Sequence, residues 1–236
     1  QPVFQKKMDV AIRQDFSSFK NFRTNFSLNV GNEKIQFSSS SFYQTVKNNF
    51  PFYDKYKFGN PTVLNENNET QQWATVNQLD FKLRKNQQID IGNFTLFKHH
   101  NIPANMGAYQ VSQKYQDDFS TKSFVKYQKI FSKAQFYFRS GYVYDYMLYE
   151  DSLNKINAPY YVHQSQNSAN YRHFFKHNIT LDAGVDYNIE VAKAEEYKAN
   201  VLRQRGAAFV GAKYSVKNIV FNVTARQEML KAKYIR

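Results

Sequence analysis

The stretch ITLDAGVDYNIEV, residues 179–191, alternates between two kinds of side chain without a break. Its odd-numbered positions are apolar or aromatic, from Ile179 to Val191, and its even-numbered positions are polar or glycine. A period of two residues is that of a β-strand, in which successive side chains point to opposite faces. The segment therefore predicts a strand with one apolar and one polar face.

The same pattern recurs along the chain. Residues 136–148 repeat it over a length that is unusual for a strand of a soluble protein, and residues 208–225 form two such runs around 216–218. Further pairs of alternating runs flank 31–34 and 85–88, with short connections at 132–133 and 175–178. Two alternating runs joined by a few turn-forming residues predict a β-hairpin. The whole chain is thus expected to be all-β, with about five short turns.

Longer polar segments lie between these hairpins, at 40–70, 99–118, 149–161 and 192–206. In an up-and-down meander, successive connections lie at opposite ends of the sheet, so all short turns share one end and all long loops the other. That layout is typical of outer-membrane β-barrels. The fold class predicted is a transmembrane antiparallel up-and-down β-barrel; a soluble sandwich or lipocalin-like barrel alternates in the same way and stays open as the alternative.

The apolar positions of the strands are expected to face lipid in such a barrel, and several end in Tyr, as the aromatic girdles of the class do. The membrane-facing set predicted here is Phe136, Phe138, Tyr142, Tyr144, Tyr146, Leu148, Ile179, Leu181, Val185, Ile189, Phe221 and Val223.

Composition removes several classes of protein. The 236 residues contain no Cys, which excludes disulfide scaffolds, thiolate nucleophiles and Cys-ligated metals. No apolar run reaches the ~18 residues of a membrane helix, and 22 Phe and 18 Tyr argue against disorder. The formal charge of +13 suits an anionic partner, but single Lys residues between aromatics, as in 124–129, serve equally well as interfacial anchors in a barrel. Nucleic acid is not a predicted partner.

No pattern for bond-making chemistry stands out, so we expect neither an enzyme nor a cofactor. Asp182, Asp186 and Glu190 share the polar face, but four residues of strand separate neighbours by about 13 Å, which is too far for joint acid–base work on one bond. A hydrated lumen wall is the expected role. Residue Gln1 opens the chain without the features of a signal peptide, which suggests a processed or internal start.

His99 and His100 lie in one of the predicted loops, near Met106 and Tyr109, where they could ligate haem iron or a corrin metal. Adjacent residues of a strand point to opposite faces, so joint ligation would need an irregular loop. A solvated loop without metal is the favoured interpretation. The loop residues expected to contact a ligand are Trp73, His99, His100, Met106, Tyr109, Tyr160 and Tyr161.

A series of short segments, in the order in which they occur along the chain, resembles the TonB-dependent outer-membrane receptors, particularly the cobalamin-receptor-like branch of Bacteroidetes. The segment 15–23 is similar to the family's Gly-Ser-Phe-x-x-x-Arg stretch, with Ser17 in place of Gly. The segment 101–107 is similar to the family's Ile-Pro-x-x-Met-Gly loop. The full set of segments is DFSSFKNFR (15–23), FYQTVKNNFPF (42–52), NIPANMG (101–107), RSGYVYDY (139–146), NYRH (170–173), LDAGVDY (181–187) and RGAAFVG (205–211).

The resemblance implies a 22-stranded barrel, plugged by an N-terminal domain, that imports a scarce nutrient such as cobalamin or a siderophore across the bacterial outer membrane. Residues 1–236 would be part of one barrel domain, about ten to twelve strands of its N-terminal half, with the plug and the closing strands outside this chain. The implied partners are outer-membrane lipid, the plug and remaining strands, TonB acting through the plug, and a surface lipoprotein. A small closed barrel stays the structural alternative, and a soluble all-β binding module for a saccharide or an anionic partner the functional one.

Overall fold

Strands make up about three quarters of the described residues. The computed structural model describes residues 4, 6–105, 107–108, 110–194 and 199–235. The strands are β1 (Lys7–Ser17), β2 (Asn21–Gly31), β3 (Ile35–Val46), β4 (Pro51–Tyr53), β5 (Thr62–Leu64), β6 (Thr70–Arg84), β7 (Gln87–Ile102), β8 (Lys114–Ile130), β9 (Ala134–Asp151), β10 (Ile156–Phe174), β11 (Ile179–Lys193), β12 (Asn200–Val216) and β13 (Ile219–Ile235). None of the described residues forms a helix long and apolar enough to cross a membrane.

Eleven of these strands form one antiparallel sheet, and β4 and β5 pair separately. Each strand of the large sheet pairs with its neighbours in the sequence, in the order β1-β2-β3-β6-β7-β8-β9-β10-β11-β12-β13. The prediction of an all-β antiparallel meander is confirmed, and the strand predicted at 179–191 is β11. In the described part of the chain, β1 pairs only with β2 and β13 only with β12, so the sheet has two edges.

The connections divide between the two ends of the sheet. The turn end holds connections of two to four residues, at 32–34, 85–86, 131–133, 175–178 and 217–218. The loop end holds the longer 47–69, 103–113 and 194–199, but also 18–20 and 152–155, so the expected separation of short turns from long loops is only partial. The predicted bounds of the long loops were too wide, because β7 and β8 continue through almost half of 99–118 and β9 and β10 through most of 149–161. A ladder of backbone hydrogen bonds does not require apolar side chains, so polar composition alone misplaced these strand ends.

The cross-strand register separates two faces. Val185 of β11 lies opposite Ala169 and Ala208, while its neighbour Asp186 lies opposite Ser168 and Ala207 on the other side of the sheet. Extended strand by strand, this register places all twelve residues of the predicted membrane-facing set on one face, named here the apolar face. The opposite face, with Asp182, Asp186 and Glu190, is named the polar face.

An unbroken row of aromatic side chains crosses six strands of the apolar face on its loop side. Each member lies directly opposite the next, in the order Tyr43, Trp73, Phe97, Phe119, Tyr146 and Tyr161. Aromatic rows at this position are a feature of membrane barrels, where the rings lie at the level of the lipid headgroups.

The apolar face is not uniformly apolar, contrary to expectation. A polar stripe follows the aromatic row towards the turn end, formed by Ser39, Ser41, Thr75, Asn77, Asn93, Thr95, Thr121 and Ser123. Side chains of this stripe form hydrogen bonds with one another: Ser39 Oγ donates to Asn77 Oδ1 at 2.8 Å, and Asn93 Nδ2 donates to Ser123 Oγ at 2.9 Å. This pairing lowers the cost of placing polar groups in an apolar environment.

Large side chains do not form a core. The buried apolar residues of the described chain are all alanines, Ala74, Ala134, Ala194 and Ala207, while Val185, Val223 and Phe221 are more than half exposed. The chain exposes 16379 Å², whereas a folded monomer of this mass is expected to expose about 11,000 Å². The sheet therefore presents far more surface than a self-contained domain.

Candidate ligand-binding site

Two connections pack together at the loop end of the sheet. The first is 47–69, which contains the hairpin of β4 and β5, and the second is 103–113. They enclose a cavity of about 350 Å³, which is at the small end of the range for ligand pockets. Its wall combines the apolar Phe52 and Val63 with the polar Asn105 and Gln110.

Asp54 joins the two connections. The residue is 2% exposed, and its Oδ1 accepts the backbone N–H of Tyr56 at 3.0 Å. Its Oδ2 accepts the backbone N–H of Gly107 at 3.1 Å and lies 3.9 Å from Lys57 Nζ. A buried carboxylate needs such donors to offset the loss of water. Removing it would leave the Gly107 N–H without this acceptor and separate the loops.

Gly107 suits this position for a steric reason. Its φ is +82°, which L-residues with a side chain rarely adopt, and a Cβ atom placed on it would lie 2.8 Å from Cβ of Tyr56. Any other residue would push the second loop away from Asp54.

Asn67 and Glu69 fix the same loops to the sheet. Asn67 Nδ2 donates to the carbonyl oxygens of Ile102 and Lys114, both at 3.0 Å, and so holds the two ends of 103–113. Asn101 Nδ2 donates to Glu69 Oε2 at 3.0 Å, and this hydrogen bond keeps the pKa of the Glu69 carboxyl below its usual value. The loop end is thus a braced structure.

The polar face of β10 to β13 carries a network of ion pairs. Arg172 lies 2.5 Å from Asp182, Arg226 lies 2.9 Å from Asp186, and Arg203 lies 2.7 Å from Glu190. The three carboxylates share one face, as predicted, and each is engaged by an arginine. A hydrated wall fits this arrangement, because solvated ion pairs stabilise little and stay open to exchange with a partner's charges.

A pair of facing carboxylates, which was not predicted from the sequence, lies at the turn end of the polar face. Asp80 and Asp90 face each other across β6 and β7 and are 3% and 5% exposed. Lys126 Nζ is 3.0 Å from Asp90, and Gln78 Nε2 donates to Asp80. The two residues are nearly equidistant in sequence from the turn at 85–86, so the register of the predicted hairpin would have placed them opposite each other.

The five described residues of the predicted ligand-binding set are spread over both faces and lie on strands, not on loops. Trp73 and Tyr161 belong to the aromatic row, and His99 is on the apolar face, where its Nδ1 lies 2.5 Å from Asp117 Oδ1. His100 and Tyr160 are on the polar face. Met106 and Tyr109 lie outside the described residues. None of the five described residues lines the 350 Å³ cavity.

The strand conformation of β7 separates the two histidines. His99 pairs with Asp117, whereas His100 is on the other face and its buried Nδ1 has no hydrogen-bond partner. They cannot bind one metal ion together. Within the part of the chain that the structure describes, no three His, Asp or Glu side chains gather as a metal site would require.

Comparisons with known proteins identify the fold. No protein-family model and no curated protein match the sequence. Among solved structures, the FrpB iron transporter of Neisseria meningitidis (F5-1 variant, apoprotein form) has a TM-score of 0.75 at 9% identity, over 97% of this chain and 42% of that chain. The chain has the fold of part of a TonB-dependent receptor barrel.

Two further structures agree. The copper transporter OprC has a TM-score of 0.69 at 10% identity, and FpvAI in its complex with pyocin S2 has a TM-score of 0.67 at 8% identity. Each match covers 100% of this chain and 39% of the other. The chain therefore spans about two fifths of the length of these three structures, which are TonB-dependent receptors.

Proposed function

We propose that the chain is a wall segment of an outer-membrane receptor of the TonB-dependent class, in its cobalamin-receptor-like Bacteroidetes branch, and takes part in the energised uptake of a scarce nutrient. The observation that carries the proposal is the exposed apolar face of the eleven-stranded meander, bordered by the aromatic row. A bilayer stabilises such a face, and water does not.

The surface area argues against the soluble binding module. The excess over a compact monomer is about 5,000 Å², and at about 25 cal/mol per Å² its apolar part would be a large cost in water. Lipid against one face and protein against the other remove this cost. Detergent dependence separates the two candidates directly.

The two edges of the sheet support a larger barrel. Backbone groups without partners are not tolerated in hydrocarbon, so the free edges of β1 and β13 need strand partners. We place those strands, the plug and the TonB contact outside this chain. The ion-pair network of Arg172, Arg203, Arg226 and their carboxylates would then face the plug across a hydrated lumen.

The ligand would enter at the loop end. The braced cavity between 47–69 and 103–113 offers apolar and amide contacts for part of a cobalamin, a siderophore complex or a similar nutrient. His100 and Tyr160 on the polar face stay candidates for deeper contacts, and a surface lipoprotein is a candidate partner above the loops. The iron and copper transporters among the structural neighbours are the motive for testing metal complexes first.

The test uses the full-length protein in its native outer membrane. We expect it to need detergent for extraction, and to bind and import one of cobalamin, a ferric siderophore or a copper complex, with import but not binding abolished by a protonophore. Asp54→Ala should weaken binding by separating the loops, while the control Lys34→Gln at the turn end should not. Release of the protein in plain buffer, or import that persists without the proton gradient, would contradict the proposal.

A further inference from the structure

A groove of about 790 Å³ lies at the turn end of the sheet, beside the turn that joins β10 to β11. Its wall includes Phe175, Ile179 and Leu181, of which Ile179 and Leu181 belong to the apolar face. Its rim carries Lys133, Lys176 and His177. The groove thus has an apolar side continuous with the proposed lipid-facing surface and a cationic side at the turns.

Backbone hydrogen bonds hold the groove in shape. The N–H of Phe175 donates to the carbonyl of Ile179 at 2.8 Å, which closes a tight turn whose central residues His177 and Asn178 have φ of 64° and 58°. The N–H of Phe174 donates to the carbonyl of Lys133 at 2.8 Å. This second bond fixes the neighbouring turn beside the first and brings Lys133 to the groove.

The cations of the rim are available to a ligand. Lys133 and Lys176 are exposed, and among the described residues neither makes an ion pair. They belong to a wider pattern, since each of the five connections at the turn end contains one lysine and their one carboxylate is Glu33. The lysines are Lys34, Lys85, Lys133, Lys176 and Lys217. One border of the apolar face is therefore strongly positive.

We infer that this groove binds one anionic phospholipid, of the phosphatidylglycerol class, from the leaflet that faces the turns. Its phosphate would lie against Lys133, Lys176 and His177, and the start of an acyl chain would lie along Phe175, Ile179 and Leu181. Charge complementarity favours this occupant, because its negative head and apolar tail match the cationic rim and the apolar wall of the groove. The inference rests on the proposed outer-membrane location.

The test is lipid titration of the full-length protein, extracted in a mild non-ionic detergent and followed by native mass spectrometry. The probes are phosphatidylglycerol, phosphatidylethanolamine and glycerol phosphate, the last being the head without acyl chains. At about 1 kcal/mol for each basic residue near the phosphate, the double variant Lys133→Gln/Lys176→Gln should bind phosphatidylglycerol about 25-fold more weakly.

The matched control is Lys34→Gln/Lys85→Gln, which removes the same charge from two turns outside the groove. We expect it to bind phosphatidylglycerol like the unaltered protein. An equal loss in both double variants would overturn the site, because it would reflect total charge alone. Equal binding of phosphatidylethanolamine, or of glycerol phosphate, would overturn the assignment of an anionic phospholipid.

The same preparations separate this inference from the proposed function. Outer-membrane fractionation and heat-modifiable migration on gels report whether each variant is folded in the membrane. A protein that meets both criteria but shows no selective lipid binding refutes the groove alone. A protein that needs no detergent refutes the membrane location on which the groove depends.

Discussion

Arginine at Val185 should destabilise the protein strongly if the apolar face meets lipid. Val185 is 55% exposed and lies between Ala169 and Ala208 on the neighbouring strands. The new side chain would therefore meet no steric obstacle and no carboxylate on its own face at these positions. The free-energy cost of the substitution would come from placing the charged side chain in lipid.

The expected magnitude follows from depth. Val185 is six residues beyond Ile179, where β11 leaves the turn; at about 3.3 Å per residue and a tilt of about 40° it lies roughly 15 Å into a band about 25 Å tall. Arginine near the midplane costs about 2–4 kcal/mol and near the interface about 0–1 kcal/mol. Leu181, only two residues into the strand, is then an interfacial control, so Leu181→Arg should cost much less than Val185→Arg.

Folding into phospholipid vesicles, measured by denaturant titration of the full-length protein, gives these free energies. Gln166→Arg is the control for the polar face, where the exposed Gln166 lies opposite Gly141 and Asn188, and we expect a change within about 0.5 kcal/mol. Equal losses at Val185 and Gln166, or a larger loss at Leu181 than at Val185, would refute the assignment of this face to lipid.

Three other predictions concern the loop end and the polar face. Asn67→Ala removes both hydrogen bonds that hold the ends of 103–113, so amide hydrogen exchange in that loop should rise while exchange in β11 stays unchanged. The hydrogen bond from Asn101 lowers the pKa of Glu69, so the stabilisation of the loops by this bond is complete above pH 4.5 and lost as the pH falls through the lowered pKa. Amide hydrogen exchange in these loops, corrected for its intrinsic rate, should therefore rise as the pH falls through this range. Glu69→Gln should abolish this pH dependence. Arg226→Gln should lower the melting temperature slightly by disrupting the pairs with Glu228 and Asp186, and the difference should shrink in about 1 M salt, where the Debye length is about 3 Å. An unchanged difference would mean that packing, not charge, is lost.

Much of the architecture could be read from the sequence. The alternation at 179–191 gave both the strand and its faces, and the register places every residue of the predicted membrane-facing set on the same side. The loops were placed less well, because polar residues such as His99 and Tyr160 are in strands. The polar stripe was missed for the related reason that Ser39 and Asn77 interrupt the apolar pattern while keeping the backbone ladder.

The sequence by itself determined the all-β class, the two faces of the strands and the five turns at one end of the sheet, because a period of two residues is a local property of extended backbone. Only the tertiary structure decided which distant residues meet. Asp54 reaches Gly107, Asn67 reaches Lys114, and the turn of Lys133 lies beside that of Lys176. These contacts depend on register and on the packing of connections, which no short pattern encodes, and they create the cavity at one end of the sheet and the groove at the other.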